Sequence, residues 1–184
     1  MALFTGKGDA GTTKTYGCDQ RISKSSAVAE ALGSLDEINS FLGLVKVKAA
    51  ATNFTVTEKK FDVIIHDVQQ TLFMVQAQVA GFPMDVPESK VKELEKVIVA
   101  CEGELPPIKN FFISGGSELA ALFDIARTIA RRAERRTVAV TEEGKVTLQP
   151  TTLAYLNRLS SILYALARLA NHKAGISEER PAYA

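Results

Sequence analysis

The chain has 184 residues, 46% of them apolar and 23% charged, which suffices for one domain with a proper core and falls short of two. Lys plus Arg number 22 against 21 Asp plus Glu, a formal charge of +1, so no global field gathers nucleic acid or an anionic membrane and any basic site is local. Scarce Gly (12) and Pro (6) argue against disorder, collagen-like repeats and a turn-dense β-sandwich, and favour helices. Met1 to Gly8 lacks an apolar signal core, and no stretch reaches the roughly 18 to 20 apolar residues that span a bilayer. Cys18 and Cys101 belong to no CxxC pair or zinc-spaced cluster, so they read as free thiols of a cytoplasmic protein.

From residue 5 to 17 the chain is a leader rich in Gly, Thr and Lys with no core of its own. From about Ser26 an apolar stripe of Val28, Leu32, Leu35, Leu42 and Val45 predicts a first helix. Phe61, Ile65, Val68, Leu72, Val75 and Val79 step 4-3-4-3-4, the seam of a second helix, which Gly81 and Pro83 stop. Pro87 opens a shorter third helix facing inward through Val91, Leu94, Ile98 and Cys101. Asn110 to Gly116 is a loop, and Ser117 N-caps a fourth helix running to about Val140, with Leu119, Leu122, Ala126, Ile129 and Ala133 inside. Pro150 and Thr151 or Thr152 start a fifth helix, with Leu156, Leu159, Leu163, Leu166 and Ala170 inside, ending near Lys173; the last ten residues read as frayed. Strand-period alternation is nowhere sustained. The expectation is an all-α protein, a five-helix antiparallel bundle of ferritin-like up-down shape, forming one domain over 1–184: leader 1–24, bundle 25–173, tail 174–184.

The fourth helix places Arg127, Arg131, Arg132, Arg135 and Arg136 within ten residues, and Arg127, Arg131 and Arg135 share one face at i, i+4 and i+8. Like charges at that spacing repel by a few tenths of a kcal/mol per pair. Asp124 and Glu134 are too few to neutralise them, so the face is either a solvated surface paired with other helices or a binding site for an anion. The leader supplies flexible backbone N–H groups, Thr hydroxyls and Lys side chains suited to phosphate oxygens, although it is no Walker A loop. Leader and Arg stripe together suggest a polyphosphate clamp. Asp36, Asn39 and Asn157 lie beside apolar stripes and need partners, either within the bundle or in a site; Asp36 suits a buried Arg of the fourth helix. His66 and His172 lack ExxH spacing, which argues against a di-metal bundle, and few aromatic residues argue against a base-stacking platform.

Three blocks together resemble the PduO-type ATP:cob(I)alamin adenosyltransferases. Thr5-Gly6-Lys7-Gly8-Asp9-Ala10-Gly11-Thr12-Thr13 resembles the family's TxxGDxGxT opening. Arg21 to Lys24 and Ala31 to Ser40 resemble its RxxK and GxxDELNS block. The third comprises Phe111 to Gly116, Ala126 to Arg135, and Tyr155-Leu156-Asn157-Arg158-Leu159-Ser160.

The resemblance implies an enzyme that transfers the 5′-deoxyadenosyl group of ATP to cob(I)alamin, giving adenosylcobalamin and triphosphate. It implies a homotrimer with ATP, its Mg²⁺ and the corrinoid held between subunits, with neither nucleic acid nor membrane involved. A reductase that makes the Co(I) state and a B12-dependent enzyme that uses the product are the implied protein partners. By motif, Thr5, Gly6, Lys7, Gly8, Asp9, Gly11, Thr13 and Lys14 would fold over ATP, while Lys24, Arg131 and Arg135 hold its phosphates. Asn157 would bind nucleotide or steady the leader, and Glu134 would orient ATP or Mg²⁺. Asp36 would pair with Arg127 across the subunit contact. Phe111 would wedge beneath the corrin, its place preferred over Phe112 by spacing to Gly115; Ser114, where the family often has Pro, would loosen that loop. A non-catalytic ATP sensor on the same bundle needs the leader and Arg stripe but neither Phe111 nor a corrin cavity.

Overall fold

The computed structural model describes residues 3–15 and 20–182, so Gly17 and Cys18 lie outside the described residues. Five helices carry the architecture: α1 (Ala27–Ala50), α2 (Phe61–Val79), α3 (Glu88–Glu104), α4 (Glu118–Glu142) and α5 (Pro150–Lys173). Three of them, α1, α4 and α5, begin where local chemistry satisfies a free N–H group or needs one fewer. Ser26 Oγ accepts from Ala29 N at 3.3 Å and Ser117 Oγ from Ala120 N at 3.2 Å, while Pro150 occupies the first turn of α5. At the end of α2, Gly81 takes φ +89°, and the Phe82 and Gly81 amides return to the Ala77 and Gln78 carbonyls at 2.9 Å, a Schellman stop.

All six residues of the predicted α2 stripe are buried, as are Leu35, Leu42 and Val45 of α1 and the five predicted inner residues of α5. Helix α1 packs on both α2 and α4, α4 packs on α5, and α5 also packs on α3. Having neighbours on two sides, α5 is enclosed nearly all round between Ile162 and Asn171, which a single stripe understates. Lys48–Glu118 (2.7 Å) and Glu37–Arg132 bridge α1 and α4, and the order of these pairs along the two helices shows that they run antiparallel.

The all-helical expectation missed two small hairpins. Strand β1 (Thr12–Lys14) pairs antiparallel with β2 (Arg21–Ser23), placing Thr13 opposite Ile22. Strand β3 (Thr55–Val56) pairs with β4 (Lys59–Lys60) around Thr57 and Glu58, which both have positive φ. That turn carries none of the Asn-Gly or Asp-Gly chemistry that normally marks it; buried Val56 and the edge contact of Phe54 with Phe61 hold it instead. The tail is not frayed as far as Glu179: Glu178 bonds to Arg168, and Ile113 N donates to Glu179 O at 2.9 Å. No helix among the described residues is long and apolar enough to cross a membrane.

Candidate active site

Arg21 organises the leader. Its Nε donates to Thr12 Oγ1 at 2.7 Å, and its Nη2 donates to the carbonyls of Lys7 (2.6 Å) and Thr12 (2.7 Å). Two successive turns lie inside this clasp, Asp9 N to Gly6 O and Gly11 N to Gly8 O, each 3.1 Å. Gly6 and Gly11 have φ of +67° and +74°, conformations that admit Gly readily. Lys24 N donates to Gly11 O at 2.9 Å, and its ammonium lies so close over Gly8 that a Cβ there would be 3.3 Å from Nζ. Lys7, Lys24 and the leader amides thus sit on one small hairpin, whose extensive contacts are between its own strands and not with the bundle. Thr5, Gly6, Lys7, Asp9, Gly11 and Lys14 are all largely open to solvent, Gly8 and Thr13 partly so.

On α4, Arg131 and Arg135 are exposed, and Arg135 Nη1 donates to the Arg131 carbonyl at 3.1 Å. Arg132, off the stripe, is the one paired with Glu37. Arg127 is half-buried, 5.9 Å from the Tyr164 ring centroid, and its Nε is buried with no partner among the described residues. Asp36 does not supply one within the chain: it is exposed on α1, off the apolar stripe where the sequence places it. Asn39 is buried, 6% exposed, and its Oδ1 has no partner among the described residues.

Asn157 is exposed and held at both ends of its amide. Its Nδ2 donates to Glu134 Oε1 at 3.1 Å, and its Oδ1 accepts from Arg158 Nη1 at 2.7 Å, while Arg158 Nε reaches Glu95 at 2.9 Å. Asn157 therefore meets Glu134 beside Arg131 and Arg135. Among the described residues no group of three His, Cys, Asp or Glu side chains gathers as a metal cage. Glu134 offers one carboxylate, which fits Mg²⁺ arriving on a polyphosphate and keeping waters of its own.

The other end of the bundle presents the two phenylalanines. Phe112 packs under the Arg168 guanidinium, 5.0 Å from its ring centroid, whereas Phe111 projects outward at 80% exposure. The Gly-Gly turn behind them is pinned. Asn171 Oδ1 accepts from Ser117 N (2.8 Å) and Ser117 Oγ (3.0 Å), its Nδ2 donates to Gly115 O (2.7 Å), and Asp124 accepts from Gly115 N (2.9 Å). Burial raises the Asp124 carboxyl above its ordinary pKa, against the lowering by the Gly115 N–H and Arg127. Arg168 and Asn171 have no place in the sequence reading, which gives Arg21 no role beyond its motif and counts Asp124 only as a counter-charge to the Arg face. Arg168 and Asn171 did carry a signal, as polar residues three apart inside an apolar run of α5.

Arg131 lies fourteen residues along α4 from its N-cap, about 21 Å at 1.5 Å per residue. The leader, joined to the N-terminus of α1, stands at the far end of the antiparallel α1–α4 pair. One chain thus carries its leader and its Phe111 loop at opposite ends.

A model of the cobalamin adenosyltransferase family matches residues 3–170. The corrinoid adenosyltransferase PduO of Citrobacter freundii is 38% identical over 95% of this chain, which spans only 51% of that protein. PduO of Salmonella typhimurium is 35% identical over 97% of the chain and 53% of its own length, so the chain covers about half of these relatives. The corrinoid adenosyltransferase of Bacillus subtilis is 36% identical over 97% of this chain and 91% of its own. In structure, a variant of the PduO-type ATP:corrinoid adenosyltransferase from Lactobacillus reuteri, complexed with cobalamin and ATP, superposes with a TM-score of 0.87 at 27% identity, covering 99% of this chain and 100% of that one. With five helices in the same arrangement and a match from the leader almost to the end of α5, the chain belongs to the cobalamin adenosyltransferase family.

Proposed function

We propose that this chain transfers the 5′-deoxyadenosyl group of ATP to a cob(I)alamin-type corrinoid, releasing triphosphate, in a cytoplasmic homotrimer whose sites lie between subunits. Membership of the family and the cobalamin and ATP bound by its Lactobacillus relative support the substrates. The observation that carries the enzyme reading over an ATP sensor is Phe111, a bare aromatic ring on a loop pinned from three sides. Ile108 and Ile113 of the same loop are exposed as well, and apolar side chains grouped in water have a use when a flat apolar ligand covers them.

The intersubunit site is supported by three features of the single chain: the separation of leader and Phe111 loop, the unpartnered buried Nε of Arg127, and the exposed Asp36 carboxylate. A neighbour's Asp36 on Arg127 would close that pair, and a neighbour's leader would bring its amides and Lys24 to Arg131 and Arg135. Desolvated pairs of this kind serve geometry and specificity more than raw stability.

In the reaction the Co(I) electron pair attacks the 5′ carbon, the Co–C bond forms, and the C–O bond to the triphosphate breaks with both electrons leaving on oxygen. No proton has to move. The protein's tasks are alignment and stabilisation of a highly charged leaving group, which Arg131, Arg135, Lys24 and the leader N–H groups perform. Mg²⁺ brought with ATP would add charge at the phosphates, with Glu134 and Asn157 orienting that end. Phe111 assists the nucleophile's formation: a ring occupying the lower face of the corrin excludes the axial donor, and Co(II) without that donor is easier to reduce.

An anaerobic assay with Mg-ATP and chemically reduced cobalamin should give the adenosylated product. Phe111→Ala should leave bound cob(II)alamin five-coordinate in its absorption spectrum and slow its reduction, while activity on pre-reduced Co(I) largely returns. Absence of product, or an unchanged spectrum and reduction rate in the variant, would refute this reading.

A further inference from the structure

The most heavily bonded charged group in the bundle stands outside the nucleotide end. Arg168 is 5% exposed, and its Nε lies 2.9 and 3.0 Å from the two carboxylate oxygens of Glu178, itself 16% exposed, while Nη2 reaches Glu178 Oε2 at 2.8 Å. Nη2 also donates to Pro106 O at 3.3 Å, and the guanidinium plane covers Phe112. One side chain of α5 therefore touches the start of the α3–α4 connection, its second aromatic ring and the C-terminal tail. A second tie lies close by, from Ile113 N to Glu179 O. Beyond it the tail contributes Arg180 and Pro181 to the wall of a concavity of about 500 Å³ whose other lining is Ile108, Lys109, Asn110 and Phe111.

A buried Arg–Glu pair gains little net stability over apolar residues of similar volume, and its better-attested use is to specify one arrangement among several. Here the alternatives are concrete. Phe111 and Phe112 are adjacent, of equal size and on a loop without regular structure, so either ring could face inward. Stacking by a planar cation takes Phe112 inward and leaves Phe111 outward. We infer that Arg168, latched by Glu178 of the C-terminal tail, is a positioning residue that selects Phe111 as the ring presented to the corrinoid and fixes the tail as a wall of that site. The inference rests on the functional reading above and deepens it, by making the tail part of corrinoid recognition while leaving the nucleotide end untouched.

The test uses two variants: a chain ended after Gly175, in which water reaches Arg168 and no charge is stranded, and Arg168→Lys, which keeps the charge but loses the fork and the planar stack. Hydrogen exchange of residues 108–113 in the substrate-free protein should accelerate at least tenfold in both. The KM for corrinoid should rise about tenfold or more while the KM for ATP stays within twofold, and bound Co(II) should shift towards the spectrum of the free corrinoid. Should the truncated chain fail to fold, Arg168→Lys gives the same readings. Unchanged exchange at 108–113, an unchanged corrinoid KM, or equal losses for ATP and corrinoid would each overturn the latch. Full-length chain that binds no corrinoid would overturn the functional reading itself, a result separable from the exchange measurement, which needs no substrate.

Discussion

Gly116 occupies a position where a single methyl group has two separable costs. Its φ is +101°, and a Cβ there would lie 2.5 Å from Asn171 Oδ1 and 2.8 Å from Nδ2. The backbone cost of holding Ala in that region is of order 1–3 kcal/mol. The steric cost depends on whether Asn171 can retreat, and it cannot do so freely: it is 6% exposed and makes three hydrogen bonds, to Ser117 N, Ser117 Oγ and Gly115 O. At about 1 kcal/mol each, their loss adds roughly 2–3 kcal/mol, so Gly116→Ala should cost about 3–6 kcal/mol, or roughly 6–24 °C in Tm for a chain of this size. Gly115→Ala isolates the first cost, since its φ is +118° with nothing within 4 Å of a Cβ. Asn171→Ala isolates the second. In the Asn171→Ala background the bonds are already gone, and Gly116→Ala should then cost only the backbone strain, giving a double-mutant coupling of about 2–3 kcal/mol. Urea unfolding of the four proteins at one fixed protein concentration measures it. Equal costs of Gly116→Ala in both backgrounds would refute the assignment of Asn171 as the turn's anchor.

Arg131→Ala should lower turnover by 10² or more with the bundle still folded by circular dichroism, because its exposed guanidinium has charge to offer a departing triphosphate; near-normal turnover would remove it from the clamp. Tryptic cleavage after Lys7 and Lys14 should slow in Mg-ATP, and Arg21→Ala, by releasing Lys7 O and Thr12, should speed it and raise the KM for ATP several-fold; equal cleavage in all conditions would count against a leader that folds over nucleotide. Burial pushes the Cys101 thiol from 9.0 up to about 12 and raises the Tyr155 phenol as well. An unfolded chain loses these protons first, so stability should fall as pH rises from about 9 towards 12. Cys101→Ala should flatten the lower part of that decline in a urea-midpoint profile, and an unaltered profile would show that Cys101 does not contribute to it.

The helices were legible because their information is local. A 4-3-4-3 apolar repeat in α2, Ser at two N-caps, Pro150 at the start of α5 and Gly81 after α2 each act within one or two turns of backbone. The motif blocks located the leader and the Arg face for the same reason. The β3–β4 hairpin escaped because its turn is held by Val56 and Phe54 packing on the bundle, against the preference of Thr57 and Glu58 for negative φ. Position relative to solvent was also hidden where it depends on neighbours: Asp36 looks adjacent to the α1 stripe in sequence but falls outside the contacts made by α2 and α4.

The sequence by itself determined that there would be five amphipathic helices, a polar glycine-rich leader and a cationic face on α4, since periodicity, capping and side-chain charge are properties of short segments. Only the tertiary structure decided which of two adjacent phenylalanines stands free, what pins the Gly-Gly turn, and that the leader and Phe111 end up at opposite ends of one chain. Those outcomes turn on Arg168, Asn171 and the antiparallel pairing of α1 with α4, contacts between residues distant along the chain that exist once the apolar stripes have been buried together.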